Sequence, residues 1–168
     1  LPDELIAQEP LPQRDASRML VLDRPTRTWS DSSFRAFPKF LREEDVVVVN
    51  NTRVIPARLV GHRKETGGRV EIFLVRELDS ETWQALVRPG GRLHSGAQVA
   101  FDDDRVTAEI VDEPGPELRT VKFRCAVPFQ EALTTLGSTP LPPYIKRPAG
   151  VSANDRERYQ TVYSSNRG

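Results

Sequence analysis

The sequence predicts an α/β domain, incomplete over this length, that carries a small antiparallel β-barrel as an insertion. Three observations carry that expectation. Val46-Val47-Val48-Val49 is an unbroken β-branched run, the composition of a strand covered on both faces of a sheet. Between residues 60 and 127 the pattern changes to short alternating segments punctuated by turn residues, which suits a barrel, with a sandwich as the alternative. After Pro128 helical spacing returns. The expected division is therefore 1–59 plus 128–168 for the α/β part and 60–127 for the barrel.

In chain order, residues 1–9 have the look of a short helix, with Pro2 near its start and Leu5-Ile6 as apolar contacts. Met19-Leu20-Val21-Leu22 forms the centre of a strand over 17–23. Asp31 or Ser32 would cap a helix whose Phe34, Phe37, Phe40 and Leu41 keep helical spacing, although Pro38 would break or shorten it. In the barrel region 69–78 alternates, with Val70, Ile72 and Leu74 on one side and Glu71, Phe73 and Val75 on the other. Further strands are expected at 82–88, 97–101, 105–111 and 118–125. Thr66-Gly67-Gly68, Asp79-Ser80-Glu81, Pro89-Gly90-Gly91, Asp102-Asp103-Asp104 and Glu113-Pro114-Gly115-Pro116 are the turns that punctuate them. Pro128 at a first turn, Phe129, Ala132, Leu133 and Leu136 on one face, and Gly137 as terminator then mark a short helix.

Lysine plus arginine and aspartate plus glutamate both number 24, a balance that argues against a general polyanion binder while leaving room for a local basic face. The single cysteine, Cys125, excludes an intrachain disulfide, and its place in an alternating run makes it a buried strand thiol rather than a nucleophile. One cysteine with His62 and His94 cannot assemble a Cys/His zinc set, and the Asp102–Asp104 run suits a solvated turn better than a metal site. No apolar stretch approaches the ~20 residues of a membrane helix, so a cytoplasmic location is expected. The start at Leu1 without methionine and the polar end Ser165-Asn166-Arg167-Gly168 lead us to expect a piece of a longer chain.

Three segments offer chemistry. Asn50, Asn51, Thr52, Arg53 and Arg58 follow the valine run, where ligands collect beyond strand ends in open α/β sheets. Their amide, hydroxyl and guanidinium groups suit a ribose, a carboxylate or a phosphate, the plain alternative being a turn with solvated arginines. Pro140 to Pro148 holds an extended path from which Tyr144, Lys146 and Arg147 project, either to stack a base and hold a phosphate or as a stiff connector. Asn154 or Asp155 would cap a last short helix with Glu157 as capping partner, placing Tyr159 and Tyr163 on one face, with at least one of them packed on the core. Glu71 is a semi-buried carboxylate whose plain role is to pair with an arginine. No phosphate-cradling glycine loop is present.

Taken in this order, the segments resemble the S-adenosylmethionine:tRNA ribosyltransferase-isomerase family of queuosine synthesis. The likeness runs through Leu1-Pro2-Asp3-Glu4-Leu5-Ile6-Ala7, Arg18-Met19-Leu20-Val21-Leu22, Asn50-Asn51-Thr52-Arg53-Val54-Ile55-Pro56-Ala57-Arg58-Leu59, Gly67-Gly68-Arg69-Val70-Glu71, Leu141-Pro142-Pro143-Tyr144-Ile145 and Tyr159-Gln160-Thr161-Val162-Tyr163. It implies that the ribosyl part of S-adenosylmethionine passes to 7-aminomethyl-7-deazaguanine at the tRNA wobble position. There it rearranges to an epoxycyclopentanediol, giving epoxyqueuosine-tRNA with release of adenine and methionine. S-adenosylmethionine is then a substrate, and neither a cofactor nor a metal is implied. The substrate-binding residues it suggests are Asn50, Asn51, Thr52, Arg53, Arg58, Pro143, Tyr144, Arg147, Tyr159 and Gln160, with no general base assigned. The partners are S-adenosylmethionine and a tRNA, without a membrane, and the expected state is a monomer. The family's further signature segments belong to a second half, so part of the active site lies off this chain. The competing expectations are a barrel that binds RNA without chemistry, for which Phe73 and Trp83 are the strand aromatics with basic neighbours, and an enzyme acting on a small nucleoside.

Overall fold

The computed structural model describes residues 2–102, 104–148 and 150–167, the last without its side chain, and the chain divides into two compact units. Leu1–Asn50 and Pro143–Pro148 make up the first unit, and Asn51–Pro142 and Ala149–Gly168 the second.

In the first unit β1 (Arg18–Asp23) and β2 (Thr28–Ser33) form a hairpin, in register from Arg18 opposite Ser33 to Asp23 opposite Thr28. The turn is fixed by Thr26, whose amide donates to Asp23 Oδ1 at 3.2 Å. Asp31 and Ser32, read from the sequence as helix caps, lie in β2. The helix expected after them is a 3-10 helix, Phe34–Phe40, because Pro38 removes a donor inside it. The first residues form only a 3-10 turn, Asp3–Leu5.

Val46–Val49 departs furthest from expectation. No strand pairs with it among the described residues, and Val46 and Val48 are 88% and 91% exposed. A β-branched run becomes a strand only where neighbours supply a ladder and cover its faces, and this unit supplies neither. The unit holds no α-helix among its described residues, so the α/β expectation is replaced by a mostly β architecture.

The second unit meets the barrel expectation. Six antiparallel strands close in the order β4-β5-β6-β9-β8-β7. After the two-residue β3 (Thr52–Arg53) they are β4 (Arg58–Arg63), β5 (Arg69–Glu77), β6 (Thr82–Arg88), β7 (Gln98–Phe101), β8 (Val106–Asp112) and β9 (Leu118–Cys125). Alternation fills the interior: Val70, Ile72 and Leu74 of β5 are buried together with Val87, Val99, Ile110 and Phe123. Asp102 and Asp104, in the turn between β7 and β8, have φ of 46° and 67°, while Asp103 lies outside the described residues.

Helix α1 (Phe129–Leu136) packs onto this barrel, its Phe129 ring stacked on Phe123 at 4.2 Å. Ala132 and Leu133 join the same core. Apolar spacing along the helix therefore ties residues 128–142 to the barrel, rather than to residues 1–59 as the sequence division had it. Helix α2 (Ala153–Arg158) and β10 (Asn166–Arg167) also belong to this unit, β10 pairing in parallel with β3.

Candidate functional site

The ten candidate residues fall into three places. Asn51, Thr52, Arg53, Tyr159 and Gln160 gather around the β3–β10 pair. The Asn51 carbonyl accepts from the amides of Ser165 (2.8 Å) and Asn166 (3.0 Å). Gln160 is buried and grips the Val54 backbone from both sides: its Nε2 donates to the Val54 carbonyl at 3.0 Å, and the Val54 amide donates to its Oε1 at 2.8 Å. A side-chain amide here substitutes for a neighbouring strand. Replacing Gln160 with alanine leaves both Val54 groups unpaired, and we expect a stability loss of about 1–3 kcal/mol with faster hydrogen exchange at the Val54 amide. An unchanged exchange rate would show that the grip does not hold the segment.

Helix α2 begins two or three positions earlier than read from the sequence. The Asp155 amide donates to the Ser152 hydroxyl oxygen at 3.0 Å, and the Ser152 amide donates to Asp155 Oδ2 at 2.9 Å. Ser152 is thus the cap and the buried Asp155 its partner, in place of Asn154 or Asp155 with Glu157. The helix ends at Arg158, so Tyr159 and Tyr163 share no helical face, and both remain exposed instead of one packing on the core. Glu157 lies 3.7 Å from the Arg53 guanidinium. Arg53 also lines a cleft of about 280 Å³ together with Val54, Ile55 and Pro56 on one side and Gln130, Leu133 and Thr134 of α1 on the other.

Arg58 stands elsewhere, on the flank of the barrel. Its Nε is 3.3 Å from Glu71 Oε1, the arginine partnership expected for that carboxylate. Arg58, Glu71, Phe73, Leu86 and Arg88 line a cleft of about 210 Å³. Arg88 was not singled out in the sequence. The available signal was its alternation with Leu86 just before a Pro-Gly-Gly turn.

Asn50, Pro143, Tyr144 and Arg147 belong to the first unit. Tyr144 is 54% exposed, and its carbonyl accepts from Gln8 Nε2 at 3.0 Å. Gln8 Oε1 in turn accepts from the Lys146 amide at 2.8 Å. Arg147 donates to the Gln8 carbonyl at 2.8 Å and pairs with Glu9 at 3.2 Å, so its charge is already engaged. The proline-rich segment is thus fixed by the chain's opening residues.

A larger cleft, of about 430 Å³, lies between α1 and the end of β9, with Val106, Cys125, Ala132 and Leu136 among its walls. Burial, with a smaller effect from Glu81, pushes the Cys125 thiol above its ordinary range, which fits a structural cysteine. Among the described residues no three His, Cys, Asp or Glu side chains gather as a metal set, and no helix is long and apolar enough to cross a membrane.

Comparison with known proteins adds to this geometry. The S-adenosylmethionine:tRNA ribosyltransferase-isomerases of Clostridioides difficile (strain 630) and Pelotomaculum thermopropionicum are each 44% identical over 168 residues, all of this chain and 48% of their own length. The chain therefore spans about half the length of the curated relatives it matches. A crystal structure of S-adenosylmethionine tRNA ribosyltransferase from Thermotoga maritima is 35% identical, covering 82% of this chain and 46% of that one, with a TM-score of 0.42. The description "Queuosine biosynthesis protein" matches residues 1–168, and the chain belongs to that family.

Proposed function

We propose that this chain forms the N-terminal half of an enzyme that builds the queuosine precursor on tRNA. The ribosyl group of S-adenosylmethionine is transferred to 7-aminomethyl-7-deazaguanine at the wobble position and isomerised, with adenine and methionine released. The observation that carries this reading is the match of the whole chain at 44% identity to proteins named for that activity. S-adenosylmethionine is consumed as a substrate, the reaction takes place in the cytoplasm on a monomer, and no cofactor or metal takes part. Asn51, Thr52 and Arg53 contribute polar groups to substrate binding, and the exposed ring of Tyr144 offers a surface for an unstacked base.

A non-catalytic RNA-binding barrel is less well supported. Trp83 is buried in the core and Phe73 is partly buried against it, so among the described residues the barrel strands lack the exposed aromatic row on which single-stranded bases stack.

The test uses the full-length protein with S-adenosylmethionine and tRNA bearing the aminomethyl-deazaguanine, following adenine by chromatography. Adenine release that requires both substrates supports the reading, and no release sinks it. In the same assay Arg53→Ala is expected to lower kcat/KM about ten- to a hundredfold, the loss of one charge-assisted hydrogen bond. The melting temperature should hardly move, because an exposed ion pair such as Arg53–Glu157 contributes about 0–1 kcal/mol. Unchanged kinetics would remove Arg53 from the site.

A further inference from the structure

The flank of the barrel around Arg58 carries a second, more specific arrangement. Arg58 lies opposite Phe73 across β4 and β5, Phe73 opposite Leu86, and Glu71 opposite Arg88 across β5 and β6. Strand alternation puts all five on the outer face, since their neighbours Leu59, Ile72 and Val87 fill the interior. Two guanidinium groups thus stand around one carboxylate, beside an aromatic ring and a leucine. Arg58 Nε is buried yet makes no hydrogen bond, its approach to Glu71 being an ion pair without donor geometry.

The charge pattern narrows the ligand. A site for phosphate alone would not hold a carboxylate between its arginines, because Glu71 would repel the anion. A ligand with both a carboxylate and an ammonium group satisfies every charge present. The ring of Phe73 adds a face that attracts a cation. At about 210 Å³ the cleft is below the roughly 300 Å³ that encloses a drug-sized ligand, so it receives one end of a larger molecule.

We propose that this cleft binds the amino-acid end of S-adenosylmethionine. Its carboxylate accepts from Arg88, its ammonium pairs with Glu71, and its sulfonium rests against Phe73. The identity of this zwitterion rests on the function proposed above, while the charge pattern stands by itself.

The experiment is calorimetric titration of the full-length protein with S-adenosylmethionine and with its decarboxylated analogue. The wild type should prefer the intact molecule about ten- to a hundredfold, the effect of one charge-assisted pair. In Arg88→Ala the preference should shrink to within about twofold, and Phe73→Leu should weaken both ligands together. Arg88 is exposed, so its loss should leave the fold intact, which circular dichroism checks. A wild-type preference that persists undiminished in Arg88→Ala overturns this site and leaves the proposed function standing. A wild type that binds neither ligand and releases no adenine overturns the function itself.

Discussion

Arg119→Ala is expected to destabilise the barrel by about 3–5 kcal/mol, the range for removing one partner of a buried charged network. Arg119 is 3% exposed, and its guanidinium acts as a hub for carbonyls on two loops. Nε donates to Leu93 O at 2.8 Å, Nη2 to Gly90 O at 2.8 Å, and Nη1 to Gly115 O at 2.6 Å and Leu118 O at 2.9 Å. Glu113, 3.5 Å away, balances the charge, and the Ser95 amide donating to Glu113 Oε1 helps hold that carboxyl below its ordinary range. Truncation would leave several carbonyls without a donor at once, and water would reach only the outer ones. The melting temperature should fall by roughly 6–20 °C for a chain of this size. Arg119→Lys should recover little, because an ammonium cannot span acceptors on both loops. A fall of less than about 3 °C in the alanine variant would show that the loops hold themselves.

The second large effect is expected at the seam where the barrel closes. Strands β4 and β7 pair in register at His62 with Ala100 and at Arg63 with Val99. Gly61 sits beside that seam. A Cβ there would overlap the Ala100 carbonyl oxygen and come within 2.7 Å of the Phe101 ring. The oxygen belongs to the backbone and cannot rotate away, and the ring is locked in the core against Phe123. Gly61→Ala should therefore cost about 3 kcal/mol, the upper end for overpacking. The amide of Lys64, which donates to Gln98 O across the same seam, should exchange faster. Gly91→Ala is the control, since a Cβ at Gly91 meets nothing within 4 Å, and its stability should stay within about 0.5 kcal/mol of the parent. Equal melting temperatures for the two variants would refute the steric argument.

How far the sequence could be read follows from where burial is one-sided. Thr82–Arg88 and Leu118–Cys125 came out with the limits expected, because each buries every second residue and turn residues bracket it. Strand β4 was missed, its first two residues taken into the candidate binding segment, since Arg58, Gly61 and Arg63 dilute its alternation. Strand β2 was hidden by its composition, Thr-Trp-Ser-Asp-Ser-Ser, which reads as a helix start. The valine run shows the limit of composition as a guide: it states what a segment would bury, and whether anything covers it is a tertiary fact. The candidate site was legible as a set of residue types. It was not legible as an arrangement, because a glutamine that grips Val54 from 106 residues away looks the same in sequence as one that faces a ligand. Arg88 entered the flank cleft only through its register opposite Glu71, and single-sequence periodicity does not give register.

The Gln160–Val54 grip also sets an order of assembly. Most barrel strands pair through neighbouring hairpins with short loops, so their ladders close early and at small entropic cost. The β3–β10 pair joins segments more than a hundred residues apart, and its two-residue ladder repays little of that closure until the barrel and α1 already hold Val54 to Pro56 in place. The surroundings of Arg53 are therefore expected to form last in this unit and to open first. An edge of this kind can open while the barrel behind it stays folded.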